Sequence, residues 1–226
     1  MASSTSSQAA TIAPTISRRT RTVWAALVGS MTAGGALLFA LAGPGPAGSG
    51  AGVSLTPLAS TATPSTVESI FSTRQPIEQA RWTEIVIHHS GSPAGGPADI
   101  ESQHRSMGLV GLGYHFVVGN GSGMGEGEIH VGYRWLEQLP GAHVAGSAGA
   151  KHNQTSIGIC LVGDGDRRAF SPEQLRRTAQ LVAALCDRFD LDPADVVQHA
   201  DLAPTTSPGR LFPQAAFYEL VRGYRR

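Results

Sequence analysis

The run Ile85-Val86-Ile87-His88-His89-Ser90 limits the folds open to this chain more than any other stretch. Three consecutive β-branched residues read as a buried strand. A histidine pair at its end, followed by Gly91-Ser92-Pro93, puts imidazoles where the strand leaves its sheet. That is where α/β domains place their chemistry. Neutral imidazole is also a common metal ligand. A lone strand-end histidine more often packs or caps, so a metal reading requires partners elsewhere in the chain.

The pattern downstream alternates strands with helices. Ala98 to Met107 has helical character, with Asp99 early, Gly108 after its end, and His104 and Arg105 on a solvated face. Gly113 to Val118 is expected as a strand whose period of two sets Tyr114 and Phe116 on one face and His115 and Val117 on the other. Glu128 to Trp135 is expected as the returning strand of a hairpin, and Gly141-Ala142-His143 as a solvated loop. In Ser156 to Gly163, the small residues Ser156, Gly158 and Cys160 share one strand face and Ile157, Ile159 and Leu161 the other. A face of small side chains implies that something approaches it closely. Ser171-Pro172 opens a helix to about Phe189, with Leu175, Leu181, Val182 and Leu185 as its inner stripe. Val196 to His199 is a short strand again ending in histidine, Ala200 to Arg210 a loop, and Gln214 to Tyr224 a closing helix. Together these give an α/β chain with a central sheet and helices packed on it. If the strands ending in His88 and His199 lie side by side, their imidazoles converge at one edge. Catalytic zinc commonly takes three protein ligands and keeps a position for water.

The N-terminal third has a different character. Residues 1–22 contain Arg18, Arg19 and Arg21 and no acid, an uncharged run follows from Val23 to Ala42, and Ala40-Leu41-Ala42 fits a cleavage site before Gly43. Residues 1–42 therefore read as a signal peptide, by the twin-arginine or the general route, or as a membrane anchor through residues 23–42. Either places the protein outside the cytoplasm or on its membrane. Residues 43–76 are Gly, Pro, Ser and Thr-rich, too poor in large side chains to offset their ordering entropy, and read as a linker; Val67 to Ala80 can still form a short helix or an extended lead-in. The folded domain is expected to span 77–226. Beyond residue 42 the chain has 14 basic against 17 acidic residues and a single lysine, Lys151, so no basic stripe exists for a nucleic acid to follow. Cys160 and Cys186 are the only cysteines, one in a strand and one in a helix, open to a disulfide or to two buried thiols.

Five motifs occur in one order: Ile85 to Ser90, Gly113-Tyr114-His115-Phe116, Gly141-Ala142-His143, Ser156-Ile157-Gly158-Ile159, and His199-x-Asp201-x-x-Pro204-Thr205-x-x-Pro208-Gly209. This succession resembles the zinc-dependent N-acetylmuramoyl-L-alanine amidases and their relatives, the peptidoglycan-recognition proteins. The resemblance covers roughly residues 77 to 221. It implies a central mixed β-sheet flanked by helices, a monomer, and hydrolysis of the amide joining N-acetylmuramic acid to L-alanine. It also implies zinc bound by His88 and His199, and Tyr114 orienting or polarising the attacked group. His143 would line the substrate groove, and Thr205 stands where some members carry a catalytic lysine. Ser207 departs from the pattern, because the third ligand there is usually cysteine, or aspartate nearby, and a neutral hydroxyl is a poor substitute. In the recognition branch, serine at this position accompanies binding of peptidoglycan or muropeptide without cutting. Cys160 is an alternative anionic ligand, and Asp201 reads as a supporting or capping group.

Overall fold

The computed structural model describes residues 67–146 and 149–225; the expected signal or anchor at 1–42, and the linker as far as Thr66, lie outside them. Five strands form one sheet: β1 (Glu84–His89), β2 (Phe116–Val118), β3 (Ile129–Val131), β4 (Ser156–Leu161) and β5 (Val196–Gln198), in the order β3-β2-β4-β1-β5. All neighbours are parallel except β2 and β3, so the sheet is mixed, as expected.

Helix α1 (Pro97–Ser106) follows β1, the short α2 (Tyr133–Leu136) and α3 (Gly149–Thr155) lie between β3 and β4, and α4 (Pro172–Phe189) follows β4. The single turn α5 (His199–Leu202) and helix α6 (Gln214–Tyr224) complete the domain. Helix α4 begins where Ser171-Pro172 predicts, with the Ser171 hydroxyl accepting the Gln174 N–H at 3.0 Å. Leu181, Val182 and Leu185 are fully buried beneath it, whereas Leu175 is only half-buried.

Strand alternation sorts the two faces of the sheet. Ile85, Ile87, Phe116, Val118, Ile157, Ile159 and Leu161 enter the larger core, beneath α4 and α6. Cys160, Val117 and Val162 join a smaller cluster on the other face with Ile100, Leu112 and Met124. Before Phe116 the alternation fails: His115 and Phe116 both pack on Trp135, with ring centroids 6.3 and 5.0 Å away. Tyr114 therefore lies on the small-cluster face, opposite Phe116. The returning strand of the hairpin stops at Val131, because Gly132 opens α2, which buries Trp135 completely. Packing also begins ahead of Ile77. The 3-10 turn Val67–Phe71 buries Ile70, whose carbonyl accepts the Trp135 indole N–H at 2.6 Å.

Candidate active site

The strands ending in histidine are neighbours. β1 and β5 run parallel with Ile87 opposite Gln198, which sets His88 beside His199 at the C-terminal edge of the sheet. Their ring centroids are 4.4 Å apart. His88 leaves a strand and is fully buried, whereas His199 is the first residue of α5 and is partly exposed. Asp201 caps that turn by accepting the Gln198 N–H, so its carboxylate serves the backbone. His89 points the other way, its Nδ1 accepting the Gly165 N–H at 3.0 Å.

His143 does not behave as a solvated loop residue. It is buried, with Nδ1 3.0 Å from Nε2 of His88. The close approach implied by the small-residue face of β4 is this ring, since a Cβ on Gly158 would lie 2.4 Å from His143 Cδ2. Asn153 of α3 fixes the loop, its Oδ1 accepting both the His143 and Val144 N–H groups.

Tyr114 lies across the histidines, with centroids 5.0 Å from His88, 6.3 Å from His143 and 5.1 Å from His104. Burial, followed by the neighbouring Cys160, raises its pKa well above the ordinary phenol value, so its hydroxyl keeps its proton. His104, expected on a solvated face, is buried, and its Nδ1 accepts the Gly113 N–H. Cys160 sits beside His88 in the β1–β4 register, on the same face. Both cysteines are free and buried, and burial pushes the Cys160 thiol far up, against a resting thiolate.

Ser207 is buried, and its Oγ accepts the His89 N–H at 3.0 Å. Its own N–H reaches Thr205 Oγ1 at 3.2 Å, and its carbonyl accepts the Ala200 N–H at 2.8 Å. The Thr205–Ser207 loop is thus fastened against β1 and α5, with Thr205 half-buried.

A second grouping, unread in the sequence, joins His89, Asp164 and Asp166, which offer one ligand atom each within 4.8 Å of one another. Each of the three already accepts a hydrogen bond within the loops. His89 Nδ1 takes Gly165 N–H, Asp166 takes the Thr206 hydroxyl and the Arg210 N–H, and Asp164 takes the Asp166 N–H and pairs with Arg167. The grouping ties the loop after β4 to the loop carrying Ser207. Its sequence signal was Asp164-Gly165-Asp166, a turn-forming pair directly after a core strand.

The site's own signature is what remains unpaired. Nδ1 of His88, Nε2 of His143 and Nε2 of His199 are buried without a hydrogen-bond partner. Such atoms are costly and call for an explanation. Burial above all, with neighbouring histidines adding to it, holds His88 well below the usual imidazole range. Burial and then His115 do the same to His143, and burial lowers His199. The rings are therefore neutral at neutral pH and carry lone pairs. Two of the orphaned nitrogens, from the adjacent ends of β1 and β5, fit a metal ion; the neutral Ser207 is the weak member of the expected set.

The model of the N-acetylmuramoyl-L-alanine amidase family (Amidase_2) matches residues 78–210, more than half of the chain and every residue of this site. The chain belongs to that family. The amidase domain is similar to the endolysin of Klebsiella phage KP32, at 29% identity over 134 residues, covering 56% of this chain and 80% of the relative. Peptidoglycan-recognition protein LB of Drosophila melanogaster is 31% identical over 141 residues, covering 57% of this chain and 55% of the relative. Among solved structures, the N-acetylmuramoyl-L-alanine amidase LysC from Clostridium intestinale URNW shares the fold, with a TM-score of 0.53 and 24% identity. That match covers 66% of this chain and 92% of LysC.

Proposed function

We propose that the amidase domain hydrolyses the amide between N-acetylmuramic acid and L-alanine of peptidoglycan, using a zinc ion held by His88 Nδ1 and His199, with Ser207 as a weak third ligand. The observation that carries this reading is the pair of unpartnered, buried imidazole nitrogens at the adjacent ends of β1 and β5. Similarity to phage endolysins and to peptidoglycan-recognition protein LB supports a wall substrate. When bound, zinc would polarise the scissile carbonyl and lower the pKa of a water to about 7. Tyr114, protonated and partly exposed beside His88, would donate to the oxyanion that develops on that carbonyl. Thr205, through its contact with the Ser207 N–H, shapes the loop on the other side. Residues 1–42 would serve as export signal or membrane anchor and 43–66 as linker, presenting the domain to the wall. N-terminal sequencing of protein from the producing cell tests that arrangement.

The second reading is a muropeptide-binding domain that does not cut, and it is favoured by one observation. Ser207 is neutral, and its oxygen already accepts the His89 N–H. Stem-peptide release from purified peptidoglycan, with and without added zinc, decides between the two. The hydrolase requires zinc-dependent release by the wild type, release kept or raised in Ser207→Cys together with tighter zinc binding, and a loss of roughly 10²-fold or more in Tyr114→Phe. Retention of muropeptide with no release under any condition leaves the binder. Release that survives chelation removes the metal.

A further inference from the structure

We propose that His143 is a positioning residue: it accepts a hydrogen bond from His88 Nε2–H and thereby reserves the Nδ1 lone pair of His88 for the metal. The inference rests on the zinc reading above and assigns His143 a place behind the metal ligand, away from the substrate.

At 3.0 Å, the contact between His88 Nε2 and His143 Nδ1 holds one proton, which sits on one ring or the other. If His143 donated it, its own Nε2 would be a bare lone pair, and the proton of a neutral His88 would move to Nδ1. Nδ1 of His88 would then be unable to bind a metal. If His88 donates it, the proton of His143 sits on Nε2. Only the second arrangement leaves the bare nitrogen on His88 Nδ1, at the end of β1 beside His199, where the zinc reading needs it, and there that nitrogen has no protein partner.

The ring of His143 is buried and packed against two glycines. A Cβ on Gly158 or on Gly141 would lie 2.4 or 2.3 Å from its Cδ2, so both glycines admit the ring at closest approach. Asn153 Oδ1 accepts from the His143 and Val144 N–H groups, Asn153 Nδ2 donates to the Val144 carbonyl, and Gly141 N–H donates to the Asn153 carbonyl. A ligand histidine commonly has its second nitrogen oriented by such a partner, whose removal typically costs 10–100-fold in metal affinity.

The test uses the full chain, first without metal. Long-range proton–nitrogen NMR of the imidazoles should show His88 protonated at Nε2 and bare at Nδ1. His143→Asn, whose Oδ1 can replace the Nδ1 acceptor, should keep that tautomer. His143→Leu should mix the two His88 tautomers and weaken zinc binding, measured by chelator competition, about 10–100-fold. The proposal is overturned if the wild type carries its His88 proton on Nδ1, or if His143→Leu leaves tautomer and zinc affinity unchanged. Should His143→Leu fail to fold, the wild-type and His143→Asn spectra decide alone. A wild type that binds no zinc would defeat the zinc reading, while the metal-free tautomer still reports on the His88–His143 bond.

Discussion

The two faces of the sheet are built from alternate residues of the same strands and obey different rules. Toward α4 and α6, Ile85, Ile87, Ile157, Ile159 and Leu161 pack among aromatic and aliphatic side chains. Toward the histidines, the next residues along are Val86 and His88 on β1, and Ser156, Gly158 and Cys160 on β4. The first face gains from hydrocarbon removed from water. The second carries buried nitrogens without partners, rings at close approach to glycines, and neutral groups where charge would be costly. One strand can therefore stabilise a fold with its odd residues and hold a destabilised, reactive arrangement with its even ones.

Acid separates the faces most sharply. His88, His143 and His199 have folded pKa values below the usual 6.5, and burial lowers His115 to about 3. Above the unfolded value, near pH 6.5, neither state takes up these protons, so the full stability is present. Below it the unfolded chain protonates first, and stability falls by up to about 1.4 kcal/mol per pH unit for each such histidine. For His115 this continues to about pH 3. Urea unfolding of the metal-free protein at pH 8.5, 7.5 and 5.5 should give a midpoint nearly level across the first two and lower at the third. With several histidines titrating together, the loss over two units should exceed that of any single substitution below; a midpoint unchanged down to pH 5 would break the comparison.

Paired substitutions come next in size. Leu181→Ala, beneath the larger core, should cost about 2–5 kcal/mol in denaturant unfolding while leaving zinc content intact. His199→Ala should do the reverse, removing zinc with little loss of stability in the metal-free protein. Equal destabilisation by the two would mean that the histidine face carries the fold as well. The smallest effect is expected at the helix start, where Ser171→Ala removes the cap on Gln174 N–H and should cost about 1 kcal/mol without touching zinc affinity.

What could be read in the sequence was whatever depends on neighbours along the chain. Ser171-Pro172 marks the start of α4, the closing helix runs from Gln214 to Tyr224, and β1 ends in its histidine pair, while His199, expected as a strand end, directly follows β5 as the first residue of α5. What escaped depends on contacts across the sheet. His143 sits among glycines and looks solvated, yet the space that receives its ring is made by Gly158, on another strand. His104 has a solvated helical pattern around it and is buried beneath Tyr114. Trp135 extends an apparent strand by composition, but its indole has a partner only if the chain turns into α2, where it meets the Ile70 carbonyl. The role of Asp164 and Asp166 follows from two loops meeting, which no local period records.

That indole bond helps fix the course of the chain ahead of β1. The lead-in from Val67 is held on the helix-covered side, where Phe71 packs against the larger core, the Arg188 guanidinium lies over its ring, and Gln79 donates to the Arg188 carbonyl. It then joins the N-terminal rim of the sheet through Arg81, which bonds to the Gln138 and Gln154 carbonyls. From Val67 to β1 these contacts hold the chain to the helix-covered side and the N-terminal rim, whereas His199 and Tyr114 are partly exposed at the histidine side. For the substrate proposed above, the lead-in would lie behind the domain, away from the side a wall strand would meet.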